Sequence, residues 1–166
     1  MLILACDPGL TGAIALLSST KGLLECADLP VCANGQDTGK MRQWLDVGAL
    51  TDLVQDWSWR HEFAKDSLLC VVERPIAMPT LPAQTVGGQF DCFGAVRMLM
   101  AVRSRDPVAT PNPKDWQRGY GLKGGDKEAS MACAQRLYPD APLKLKKHHN
   151  RAEAILIGHW LLKMQE

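Results

Sequence analysis

The chain has 166 residues, enough for one domain with a substantial core and no covalent staples. Apolar residues make up 46% and charged residues 22%, a globular balance, and no apolar run reaches the roughly 20 residues that span a bilayer. Net charge is +1 but uneven: residues 1–96 carry 6 basic and 11 acidic side chains, residues 97–151 carry 12 basic and 5 acidic.

In chain order, residues 1–7, 12–18 and 22–29 read as three short strands, with Asp7-Pro8-Gly9 and Lys21-Gly22 as turns. Connections this short imply antiparallel neighbours. Residues 32–43, polar and glycine-bearing, read as a loop. Asp46 caps a helix over 47–60, with Val47, Leu50, Leu53, Val54 and Trp57 at helical spacing. A fourth strand covers Ser67 to Val72 and a proline-rich loop follows over 75–84. The next helix begins at 85 or 90 and ends at 104; its apolar stretch at 90–102 is compatible with self-association. Val108-Ala109 is a brief fifth strand. Asp126 starts a helix to Leu137, residues 140–148 form a basic loop, and the last helix covers 149–164. This order predicts a single α/β domain over 1–166 with a mixed five-stranded sheet, its first three strands antiparallel, flanked by helices.

The six cysteines show no C-x-x-C pair and no zinc spacing, and several lie inside apolar runs. Reduced, structural cysteines fit a reducing compartment. The first residues lack a signal-peptide pattern, so the expected location is cytoplasmic.

Three carboxylates stand out. Asp7 ends the first apolar strand, Glu73 ends the fourth, and Glu153 interrupts the apolar helix RAEAILIGHWLL. Singly, each has an ordinary explanation: a turn cap for Asp7, a partner for Arg74 in Glu73, a surface stripe for Glu153. Together they form a set of mutually repelling anions that needs a compensating charge. Mg²⁺, with its preference for oxygen ligands, supplies it, and two such ions promote phosphodiester hydrolysis. His149 lies one helical turn before Glu153, and His148 and Asn150 are alternatives as a fourth ligand or proton carrier.

The segments D-P-G-L-T-G-A at 7–13, V-V-E-R-P at 71–75 and H-H-N-R-A-E-A-I-L-I-G at 148–158 resemble the RuvC-like Holliday junction resolvases, as do T-P-N-P-K-D-W at 110–116 and D-K-E-A-S at 126–130. The resemblance implies a ribonuclease H-like fold and a symmetric homodimer that uses Mg²⁺ or Mn²⁺. It also implies paired nicks in four-way DNA junctions that leave 5′-phosphate and 3′-hydroxyl ends, in a bacterial or phage-infected cell. Carried over by motif, Asp7, Glu73 and Glu153 would bind metal, with Asp7 shared between two ions. His149 or Asn150 stands where many relatives have a fourth acid, and Glu replaces Asp at 153. Lys114, Arg118, Lys123, Lys127, Lys144, Lys146 and Lys147 would grip phosphates. Trp116 reads as a core or hinge anchor. Where relatives place a base-stacking aromatic after the second carboxylate, this chain has Ile76 and Met78, either of which would serve only as an apolar wedge.

Three other readings compete. A nuclease of the same fold could act on RNA–DNA hybrids or replication forks, and a junction-binding module could have lost its metals. The pattern D-x-G-x-T-G also resembles the phosphate loop of sugar-kinase and actin-type ATPases, but 166 residues leave no room for their second domain.

Overall fold

The computed structural model describes residues 1–33, 43–63, 68–123 and 126–165. Strands β1 (Leu2–Asp7), β2 (Ala13–Ser18) and β3 (Gly22–Asp28) form an antiparallel meander. A short hairpin of β4 (Val31–Ala33) and β5 (Gln43–Leu45) leads to α1 (Val47–Arg60), and β6 (Leu68–Val72) returns parallel to β1. Helix α2 (Ala83–Ala101), the short α3 (Pro113–Gln117), α4 (Lys127–Leu137) and α5 (His149–Lys163) complete the chain. The main sheet has the order β3-β2-β1-β6.

The central strands are apolar without alternation because helices cover both sheet faces. Ile3, Ala5, Ala13, Ala15 and Leu17 pack against α5 and α4 on one side. Leu4, Cys6, Ile14, Leu16, Cys70 and Val72 pack against α1 and α2 on the other. Gly158 allows α5 to lie close: a Cβ there would sit 2.4 Å from Leu17 Cδ1 and 3.0 Å from the Ala5 Cβ. Asp46 and Asp126 cap α1 and α4, each accepting from the backbone N–H three residues on at 2.9 Å. Four of the six free cysteines, at 6, 70, 92 and 133, are buried in these cores.

Three expectations need correction. The fifth strand is a single parallel bridge, Val71 to Ala109, rather than a full ladder partner. Ala109 exchanges hydrogen bonds with Cys70 and Val72, but Pro107, Pro111 and Pro113 crowd the segment, and proline has no N–H to extend a ladder. The polar stretch at 32–43 is not all loop, since its two ends pair as β4 and β5; residues 34–42 lie outside the described ones. Ser67, the expected start of the fourth strand, also lies outside them. Helix α2 begins earlier than expected, with Pro82 preceding its first turn, and ends at Ala101. Among the described residues no helix is long and apolar enough to cross a membrane.

Candidate active site

Parallel pairing of β1 with β6 brings two of the carboxylates together. Cys6 is in register with Val72, and the Glu73 amide donates to the Cys6 carbonyl at 3.0 Å, so Asp7 and Glu73 leave adjacent strands at the same sheet edge. Glu153 comes from the second turn of α5, which packs over β1 and β2. The turn after Asp7 is tight. A Cβ on Gly12 would meet the Asp7 carbonyl at 2.2 Å, so glycine alone lets the chain fold back there. Asn150 donates from its amide to the Thr11 carbonyl and ties this turn to the start of α5.

All three carboxyls titrate above their ordinary range. Burial is the largest cause for Asp7, whose pKa is pushed well up, and the charges of Glu73 and Glu153 add to it. Glu73 is raised to about 7 by burial, against a hydrogen bond from Trp116 that lowers it, with Glu153 raising it further. Glu153 is also raised by burial, while His149, Ser130 and Lys127 each pull it back. Burial is the leading cause at all three, and repulsion from neighbouring carboxylates adds to it at Asp7 and Glu73.

Two neutral donors hold the outer carboxylates. Trp116, fully buried, donates from Nε1 to Oε2 of Glu73 at 2.5 Å, and the Ser130 hydroxyl lies 3.4 Å from Oε1 of Glu153. Sequence reading missed both contacts. Lys127 and Ser130 are one turn apart in K-E-A-S, so their shared helical face was the available signal for the second. The Trp116 contact spans 43 residues and left no local trace.

A cleft of about 940 Å³ opens at this edge, lined by Asp7, Glu153, Lys127, His149 and Asn150 among others. Glu73 stands one strand over. His149 Nδ1 lies 3.3 Å from the Lys146 carbonyl. His148 is buried instead, accepting from the Leu145 amide at 3.3 Å and sensing Asp28 and Arg151. Of the basic residues anticipated as phosphate contacts, Lys127 enters the cleft lining, and Lys114, Arg118, Lys123, Lys144, Lys146 and Lys147 are exposed outside it. Ile76 and Met78 are exposed on the loop after Glu73.

Among the described residues no three His, Cys, Asp or Glu side chains close into a preformed ion cage. A set of carboxylates open to a cleft nonetheless suits a hard divalent cation, which keeps waters and takes part of its coordination from substrate phosphate.

Against solved structures, the chain matches Thermus thermophilus RuvC in complex with a Holliday junction substrate at a TM-score of 0.65, with 16% identity over 99% of this chain and 96% of that one. The fold is that of RuvC. A second structure of RuvC from Thermus thermophilus matches at 0.54 and 18% identity, covering 99% of this chain and 97% of the other. No protein-family sequence model and no curated protein sequence matches the chain. The RuvC architecture is ribonuclease H-like, the fold that the resemblance to RuvC-like resolvases implied.

Proposed function

We propose that this chain is a divalent-metal-dependent endonuclease that resolves four-way DNA junctions by paired symmetric nicks, working as a homodimer. The observation that carries the proposal is the grouping of Asp7, Glu73 and Glu153, from β1, β6 and α5, in mutual electrostatic contact at one sheet edge. The RuvC fold supports the choice of substrate, since the first matched RuvC was solved with a Holliday junction.

Asp7 and Glu153, with His149, would hold one ion, and Asp7 with Glu73 a second. Mg²⁺ or Mn²⁺, when bound, supplies the charge that makes water nucleophilic and offsets the negative charge on the leaving 3′ oxygen. Trp116 and Ser130 keep Glu73 and Glu153 aimed by hydrogen bonding. The ammonium of Lys127 offsets the negative charge of Asp7 and Glu153 and offers a contact to a scissile phosphate. The exposed lysines around α3 and before α5 give salt-dependent grip on flanking backbone without reading sequence. Exposed Met98 and Val102, at the end of α2, give the homodimer an apolar contact surface.

The test is a substrate comparison: synthetic four-way junctions, flaps, forks and RNA–DNA hybrids, each with and without Mg²⁺. Paired nicks in the junction that need Mg²⁺ and leave ligatable ends support the proposal. Preference for hybrids or flaps transfers the chain to another nuclease class of the same fold. Junction binding without cleavage in any metal makes it a binding module.

A further inference from the structure

The cleft lining extends well beyond its carboxylates. There β5 contributes Gln43 and Trp44, and the first turns of α2 contribute Gln84, Thr85 and Gln89. Trp44 is 48% exposed, while its neighbour Leu45 is buried in the core. The Asp46 amide bonds the Pro30 carbonyl at 2.9 Å, so the exposed indole sits on an anchored backbone. Gly87 and Gly88 of α2 also line the cleft, and Cβ atoms added there would meet nothing within 4 Å. Among the described lining residues, Lys127 acts on the charges of Asp7 and Glu153, and Asp91 on α2 adds a negative charge. A flat uncharged ring with donors and acceptors on its edge would find an aromatic face, the amides of Gln43, Gln84 and Gln89 and the hydroxyl of Thr85.

We propose that this part of the cleft is a nucleobase pocket, in which Trp44 stacks on one unstacked base of the branched substrate and Gln84, Thr85 and Gln89 contact its edge. The assignment rests on the nuclease reading of the neighbouring carboxylates. Aromatic stacking tolerates any base, whereas amide side chains discriminate between base edges, so the pocket would set which nucleotide is preferred beside the cut. It would also place an aromatic anchor on the β4–β5 hairpin in a chain whose loop after Glu73 offers Ile76 and Met78.

The test measures binding, under Ca²⁺ in place of Mg²⁺, to a four-way junction of synthetic oligonucleotides and to a set in which each nucleotide flanking the crossover is made abasic in turn. Trp44→Ala should weaken binding to the intact junction about 10- to 100-fold, the range expected for one lost stack. Trp44→Phe should stay close to wild type, with both variants melting as the parent does. At one abasic position wild type and Trp44→Ala should bind alike, and Gln89→Ala should alter which base is preferred there in cleavage. Equal affinity of wild type and Trp44→Ala for the intact junction, or an equal loss on every abasic substrate, overturns the pocket while leaving the nuclease reading intact. Failure of the wild type to prefer junction over linear duplex overturns both.

Discussion

The Trp116 indole donates to Glu73 from 43 residues away, joining the short helix α3 to a strand-end carboxylate. The bond stabilises the ionised form and so holds down a pKa that, with burial raising it, stands at about 7. Trp116→Phe keeps most of the ring volume and removes the donor. Glu73 then ionises at higher pH, and the rising limb of the pH–rate profile for metal-dependent cleavage should shift upward. The same variant should lose about 1–3 kcal/mol in urea unfolding, the usual cost of a buried polar group left unpaired.

Metal-free stability should depend on pH with the opposite sense to that of most paired carboxylates. The folded-state pKa of Glu73 is about 7 against 4.5 for the unpaired group, and Asp7 and Glu153 are raised as well. Folding therefore favours the protonated forms. Their contribution is fully present below about pH 4.5 and is lost as pH rises through about 7. Glu73→Gln should be more stable than the parent at pH 8 without metal, by on the order of 2 kcal/mol, and inactive. Thermal melts across pH, with and without Mg²⁺, check this, and the rise in melting temperature with Mg²⁺ should be larger at pH 8 than at pH 5.

The basic residues should divide into two kinds. Lys127→Met removes the cation that relieves Asp7 and Glu153, so cleavage should fall far more than junction affinity. Single alanine variants at Lys144, Lys146 or Lys147 should weaken binding across all DNA forms. Each residue that touches a phosphate should lower the salt slope of log K by about one. Binding titrations at several salt concentrations, run beside single-turnover cleavage, separate the two kinds.

Gly158→Ala puts a methyl into the Leu17 side chain. Its overpacking should cost about 1–3 kcal/mol and push α5 off the sheet. Because Glu153 rides on α5, cleavage should drop even at temperatures where the variant remains folded, as circular dichroism run alongside the assay would show.

Much of the fold was written locally. Strands buried on both faces leave continuous apolar runs, and a carboxylate ending such a run is visible by contrast, as at Asp7 and Glu73. Asp46 and Asp126 likewise marked their helix starts to the residue. The chemistry that depends on distant partners was not legible. Trp116 looked like core and is core, but its N–H serves Glu73. The β4–β5 hairpin has three-residue strands set in turn-forming sequence, too short for a periodicity to register. Its Trp44 consequently showed no sign of facing the cleft. The fifth strand was overread because Val108-Ala109 has strand composition while its flanking prolines limit it to one bridge.

The most direct measurement is cleavage of a synthetic four-way junction by wild type and by Asp7→Asn over a Mg²⁺ titration, with junction binding followed in parallel. The account predicts Mg²⁺-dependent paired nicks for wild type, and for Asp7→Asn no cleavage at any Mg²⁺ concentration with affinity for the junction retained. Undiminished cutting by Asp7→Asn, or cutting by wild type with all divalent metal chelated, would contradict it.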